Sequence, residues 1–155
     1  MQNAIGLDNE KAKQLSTGLN NLLANYQLFY INARGFHWNI TGERFFELHV
    51  KFEELYNDAL LKIDEIAERI LTLGHTPVHS FTEYVKQSAI REATNISDGR
   101  TAVELVLESF GTLLKIEREI SALAGEAHDE GTTALMSDYI RAQEKLVWMY
   151  QAYLR

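Results

Sequence analysis

Apolar side chains recur along most of this chain at steps of three and four residues, the period of helices that bury one face. Leu15, Leu19, Leu22, Leu23, Tyr26, Phe29 and Tyr30 mark a first helix from about Asp8, a candidate N-cap, to about Arg34, where Gly35 loosens it. Phe45, Leu48, Phe52, Leu55, Ala59, Ile63, Ile66 and Ile70 mark a second from about Glu43 to Leu73, between the turn signals of Asn39 to Gly42 and Gly74. His75 to Asn95 contains Pro77 and reads as a long crossover in which FTEYVKQ has the length for one or two helical turns. Ser97 or Asp98 caps a third helix, whose stripe is Val103, Val106, Leu107, Phe110, Leu113, Leu114, Ile120 and Leu123 and which ends near Gly125. A fourth runs from about Thr132 to the end with Leu135, Tyr139, Leu146, Tyr150 and Tyr153. The pattern predicts one all-α domain over residues 1–155, a four-helix bundle with a short extra helix in its long central connection.

Composition narrows the chemistry. Nine Gly and one Pro leave few breaks, in keeping with long helices. With no cysteine, disulfides, thiolate metal sites and cysteine nucleophiles are all excluded, so any metal must sit on His, Asp or Glu. That donor set suits iron, manganese or zinc. The start, MQNAIGLDNEKAKQ, has no charged segment followed by an apolar run, so a cytoplasmic protein is expected. Between Lys13 and Arg34 there is no charge, but Asn20, Asn21, Asn25, Gln27 and Asn32 interrupt the stretch, and a membrane span is not expected. A net charge of −7 opposes attraction to DNA phosphates and suits a protein that gathers cations.

On the second helix, His49 and Glu53, and again Asp64 and Glu68, are four residues apart. At about 100° per residue the four fall within an arc of about 100°, roughly 130° from the apolar stripe, so they face away from their own core. Such a face is ordinarily a solvated one. Glu53 and Asp64 are eleven residues apart, or about 16 Å along the axis at 1.5 Å per residue, so one metal cannot be held by both pairs within one chain. Either the pairs are unrelated or a partner supplies the missing half. Two copies of this helix packed antiparallel about a two-fold axis would bring His49 and Glu53 of one to Asp64 and Glu68 of the other. They would cross near Asp58 and Ala59, where a small side chain permits close approach. His37, just past the first helix, completes each site if the turn at Thr41 and Gly42 folds it back towards His49.

The run His37-Trp38-Asn39-Ile40-Thr41-Gly42, then Phe45, Leu48-His49, Phe52-Glu53 and Tyr56, and finally Asp64-Glu65-Ile66-Ala67-Glu68-Arg69-Ile70, resembles the signature of the Dps-type mini-ferritins. The motif spans about a third of the chain, and the helix lengths extend the likeness over nearly all of it. The resemblance implies a ferritin-like bundle and a ferroxidase centre shared between subunits: His37, His49 and Glu53 from one, Asp64 and Glu68 from its two-fold mate. Glu53 stands where members of the family often have Asp, one methylene shorter. Trp38 corresponds to the family's tryptophan beside the centre, which takes up oxidising equivalents; its alternative role is a packed aromatic at a helix end. Asp129, Glu130 and Asp138 correspond to acids lining a three-fold iron pore, although Ala134 stands where another acid is expected. Glu54, beside the ligand face, is a candidate nucleation residue for mineral.

The implied activity is oxidation of Fe²⁺, with hydrogen peroxide preferred to O₂, and storage of ferric mineral in a hollow homododecamer, which protects against peroxide. A conventional ferritin is the nearest alternative, but its intrasubunit site needs Glu-x-x-His pairs; the residues three before the five histidines are Arg34, Phe46, Thr72, Thr76 and Gly125. A nucleoid-coating DNA-binding protein is the alternative of another class, disfavoured because only Lys11 and Lys13 lie near the N-terminus. His75, His79 and His128 read as loop residues.

Overall fold

Three of the four long helices begin on an aspartate or a residue beside one, and the structure shows why. Residues 1–155 are all described by the computed structural model, which contains α1 (Asn9–Asn39), α2 (Phe45–Thr72), α3 (Phe81–Gln87), α4 (Gly99–Glu126) and α5 (Glu130–Leu154) and no strand. The carboxylates of Asp8, Asp98 and Asp129 accept from the backbone N–H of Lys11, Thr101 and Thr132, and the Ser80 hydroxyl does the same for Glu83 at the start of α3. Each bond satisfies one of the N–H groups a helix start leaves bare. At Asp98 the Thr101 hydroxyl and N–H hold the carboxyl below its usual range.

The ends of α2 and α4 use one device with different residues. Gly74, at φ +91°, donates to Leu71 while His75 N–H reaches the Ile70 carbonyl. His128, at φ +57°, donates to Gly125 while Asp129 N–H reaches Ala124. Both are Schellman ends, so His128 fills a left-handed position normally given to glycine. α4 therefore ends just beyond Gly125, and α5 starts at Glu130, earlier than the expected Thr132.

The first helix runs further than its sequence predicts, through Gly35 to Asn39. A mid-helix glycine costs only about 1 kcal/mol, and beyond it Phe36 and His37 are both buried. Their packing outweighs the glycine. His37 thus sits in the last turn of α1, not past it.

α1 packs against α2, α4 and α3, and α4 packs against α5. Tyr26, Phe52, Phe110, Leu113, Ile66 and Ile70 are among the large side chains with almost no exposure at the centre. On α2 the buried stripe is Leu48, Phe52, Leu55, Ala59, Lys62, Ile66 and Ile70, whereas Phe45 and Ile63 are only half-buried. Ala59 lies fully inside its own bundle. It cannot ease the approach of a second copy; the outward residues at the middle of α2 are Asn57, Leu60 and Leu61.

The uncharged asparagines of α1 hold the crossover down. Asn20 Oδ1 accepts from Val78 N–H at 2.8 Å, Asn25 Oδ1 from Ala89 and Ile90 N–H at 3.0 and 3.1 Å, and Asn32 Oδ1 from Ala93 N–H at 2.9 Å. Asn21 and Asn32 donate to the Gln87 and Arg91 carbonyls at 3.1 and 2.9 Å. A connection with so little secondary structure must place its backbone groups somewhere, and amides can both donate and accept. Replacing fully buried Asn25 by Ala orphans the Ala89 N–H and leaves the Ile90 N–H and the Ser88 hydroxyl with only the bonds between those two residues. Asn25→Ala is expected to cost about 1–3 kcal/mol in denaturant unfolding; a loss under about 0.5 kcal/mol contradicts the strut.

Candidate metal centre

The turn between α1 and α2 is pinned from outside. Thr41 N–H donates to the Ser97 carbonyl at 2.8 Å, beside the cap of α4, and Gly42 takes φ +109°. The reversal lays the last turn of α1 against the first turns of α2. There the two imidazoles of His37 and His49 stack, centroids 3.8 Å apart and planes within 11°. Each ring is held by the other's backbone: His37 Nδ1 donates to the His49 carbonyl at 2.6 Å, and His49 Nδ1 donates to the His37 carbonyl at 2.7 Å. Carbonyls only accept, so both rings carry hydrogen on Nδ1. In the neutral ring this leaves the Nε2 lone pair free, the form in which histidine ligates metals. His37 O is one of the carbonyls that a helix end leaves bare, so the same bond also closes α1.

Aromatic neighbours fix the pair. Phe45 stacks on His49 at 4.9 Å and Tyr56 meets His37 edge-on at 5.3 Å. Tyr56 has the same helical phase as His49 and Glu53, seven and three residues earlier. That spacing could have flagged its place in the site. Trp38 points outward, 59% exposed, with the Arg34 guanidinium 5.1 Å from its ring. The same guanidinium lies 5.3 Å from Tyr56. Trp38 is therefore not the packed aromatic its helix-end position allowed.

Glu53 is half-buried one turn beyond His49, whereas Asp64 and Glu68 are exposed further along α2. The structure brings His37 to His49 but brings neither Asp64 nor Glu68 to them, and nowhere in the single chain do three or more His, Asp or Glu side chains converge as a metal site would need. The acids of α2 divide by partner, and Glu65 accepts from the Tyr139 hydroxyl at 2.8 Å. Glu47, Glu54 and Asp58 each pair with a cation, Arg44, Lys51 and Lys62, at 3.4, 3.1 and 2.5 Å. No ion pair involves Glu53, Asp64 or Glu68. Between those three acids the outward face carries Leu60 and Leu61, 50% and 68% exposed, with Phe46 and Val50 nearer its start. Adjacent exposed leucines on an outward helix face are the kind of apolar surface that interfaces use.

Of the three candidate pore acids, Asp129 has another task. It is 2% exposed, accepts from Thr132 N–H and hydroxyl, and pairs with Arg69 at 2.6 Å. A Cβ on Gly131 would lie 2.8 Å from that guanidinium, so the glycine makes room for it. Asp129 locks α5 to α2 and does not face solvent. Glu130 and Asp138 are exposed, and Asp138 pairs with Arg141 at 3.1 Å. Among the other histidines, exposed His79 bonds to the Pro77 carbonyl, and His128 makes the turn after α4.

Comparison with known proteins agrees with this architecture. The ferritin-like domain family matches residues 16–155. The crystal structure of a Dps protein from Vibrio cholerae O1, described as a member of a broad superfamily of ferritin-like diiron-carboxylate proteins, superposes with a TM-score of 0.98. The two are 58% identical, over 99% of this chain and 97% of that one. A Dps protein from Bacillus brevis gives a TM-score of 0.91 at 34% identity, over 94% of this chain and 98% of that one. The DNA protection during starvation protein of Porphyromonas gingivalis is 43% identical over 96% of this chain and 93% of its own length. With its five helices, its extra helix in the central connection and these relatives, the chain belongs to the Dps group of the ferritin-like family.

Proposed function

We propose that the chain oxidises ferrous iron at sites shared by pairs of subunits and stores the ferric product inside a closed homododecamer. Iron is substrate and cargo here. The observation that carries the reading is the division of α2's acids: those facing elsewhere have a partner, a cation for Glu47, Glu54 and Asp58 and the Tyr139 hydroxyl for Glu65, and the three on the side of His49 have no ion pair. A two-fold axis through the outward face near Asn57 and Leu60 sets Asp64 and Glu68 of the partner subunit against His37, His49 and Glu53. The Leu60 and Leu61 strip then becomes the contact that excludes water around the sites. Imidazole nitrogen and carboxylate oxygen suit Fe²⁺ in donor type.

The residues divide the work. The His37–His49 clasp presents pre-oriented Nε2 atoms, so little ordering is required when Fe²⁺ binds. Carboxylates favour the more highly charged ferric product, which lowers the barrier to electron loss. Two Fe²⁺ each give one electron, and one H₂O₂ takes both as its O–O bond breaks. Preference for peroxide rests on the family resemblance. Consuming iron and peroxide together makes the protein an antioxidant. Trp38, exposed beside the centre, is positioned to accept stray oxidising equivalents. Entry by Glu130 and Asp138, and nucleation near Glu54, belong to the same reading, with Asp129 holding the helix start that bears Glu130. Twelve copies at −7 give a formal charge of about −84, which draws cations to the shell.

Direct DNA coating fits less well. Residues 1–8 fold back on the body: Gln2 bridges Asp8, Asn9 N–H donates to the Met1 carbonyl at 2.9 Å, and Asn3 Nδ2 reaches the Leu73 carbonyl at 3.4 Å. They form no free basic arm. Protection of DNA, which the relatives' name describes, follows from removing iron and peroxide without contact. No helix is long and apolar enough to cross a membrane, and we place the work in the cytoplasm.

Light scattering at micromolar concentration should show one species of about twelve chains of 17.7 kDa; a stable monomer or dimer contradicts the shell. Ferrous titration with peroxide, read by ferric absorbance, then tests the site. His49→Ala/Glu53→Ala and Asp64→Ala/Glu68→Ala are each expected to be nearly inactive. Co-assembled at random, about half of all dimers are mixed and each has one intact site, so about a quarter of the activity should return. No recovery in verified mixed shells refutes the shared site.

A further inference from the structure

The middle of the bundle holds an acid that the iron chemistry does not use. Glu117 of α4 is 0% exposed, with Tyr26 of α1 and Gln143 of α5, both almost fully buried, against it. Tyr26 hydroxyl donates to Glu117 Oε2 at 2.5 Å, and Gln143 Nε2 donates to the Tyr26 oxygen. Glu117 Oε1 and Gln143 Oε1 are left buried with no partner. Counting hydrogens explains the pair. An ionised Glu117 gives this trio four oxygens to satisfy, two on the carboxylate and one each on the amide and the phenol, with three hydrogens, one from the phenol and two from the amide. Turning the amide over only moves the shortage, because the phenol has one proton to give.

We propose that Glu117 is held as a carboxylic acid in the folded chain and that its proton, donated to Gln143 Oε1, is a lock joining α4, α5 and α1. One added hydrogen partners both bare oxygens and removes a buried charge. The surroundings agree. From α2, Lys62 faces the trio but its Nζ is committed to Asp58 at 2.5 Å, and Glu65 takes the Tyr139 hydroxyl at 2.8 Å. From α5, the Tyr139 ring meets Tyr26 edge-on at 6.1 Å. Arg118, next to Glu117, turns to the surface and pairs with Glu144. Burial pushes the Glu117 carboxyl up to about 7, against the pull of the Tyr26 and Gln143 bonds and of Lys62 and Arg118.

A raised carboxyl means that the folded chain keeps a proton the unfolded chain has lost. Stability from this group is full below the ordinary value of 4.5, falls as pH rises towards about 7, and is flat above. A carboxyl whose folded value is lowered, as by a salt bridge, would have the opposite sign, with stability gained on raising the pH. Across that range the unfolding equilibrium per subunit should shift on the order of 10²-fold.

Glu117→Gln is the test, since an amide supplies the missing hydrogen at every pH. The gap between the unfolding midpoints of Glu117→Gln and wild-type shells is expected to widen in favour of the variant from pH 5 to pH 8. Parallel curves overturn the proposal. Infrared spectra at pH 6 give a second reading: wild type should show the C=O stretch of a protonated carboxyl that Glu117→Gln lacks. If the variant does not assemble, ¹³C-glutamate labelling of wild type decides alone. An acid band that shifts with the label and disappears on titration through about 7 supports the lock. Absence of such a band at pH 6 refutes it.

Discussion

A rigid α-helix advances about 1.5 Å per residue, and that single constraint shapes this protein. α2 carries the core of its own subunit on one side and two sets of candidate ligands on the other, too far apart to meet. The bundle can fold with Leu48, Phe52, Leu55 and Ile66 inside, but its outward residues cannot converge within the chain. The crossover does not cover that face, because the asparagines of α1 hold it down on α1 instead. The chain thus leaves α2's outer surface bare, apolar in the middle and acidic on both flanks. On the proposed reading, a second copy is the partner whose symmetry fits both half-sites at once.

The acids of the chain do four kinds of work, separated by what each touches. Asp8, Asp98 and Asp129 close helix starts. Glu47, Glu54 and Asp58 sit beside cations on α2. Glu53, Asp64 and Glu68 have no counter-ion within the chain. Glu117 stands apart at the centre, where burial leaves protonation as the way to satisfy it. The net charge of −7 records none of these distinctions. Local partners decide which acid caps, which pairs with a cation and which is left open.

Much of this was legible in the sequence, where it depended on helical period alone. The second helix and the short FTEYVKQ helix lie where the pattern puts them, and the His37-Trp38 to Ile70 motif identifies the family. What failed were inferences needing tertiary neighbours. Gly35 reads as a stop only until the burial of Phe36 and His37 is known. Asp129 reads as a pore acid until Arg69 is seen beside it. Ala59 was asked to serve both the core and the interface, and its burial settles which. Glu117 lies in step with Phe110, Leu113 and Ile120 on the buried face of α4, so the pattern did contain a signal. A lone acid on an apolar stripe looks like a fault until Tyr26 and Gln143, from two distant segments, are brought against it.

The central claim is that one metal position is built from two chains. Crystals of the assembled protein soaked anaerobically in Fe²⁺, with diffraction collected on both sides of the iron edge, test it directly. Anomalous peaks are predicted at each two-fold interface, within bonding distance of His49 Nε2 and Glu53 of one subunit and of Asp64 or Glu68 of the partner subunit. Peaks ligated by residues of one chain alone, or none at the two-fold, would contradict the account.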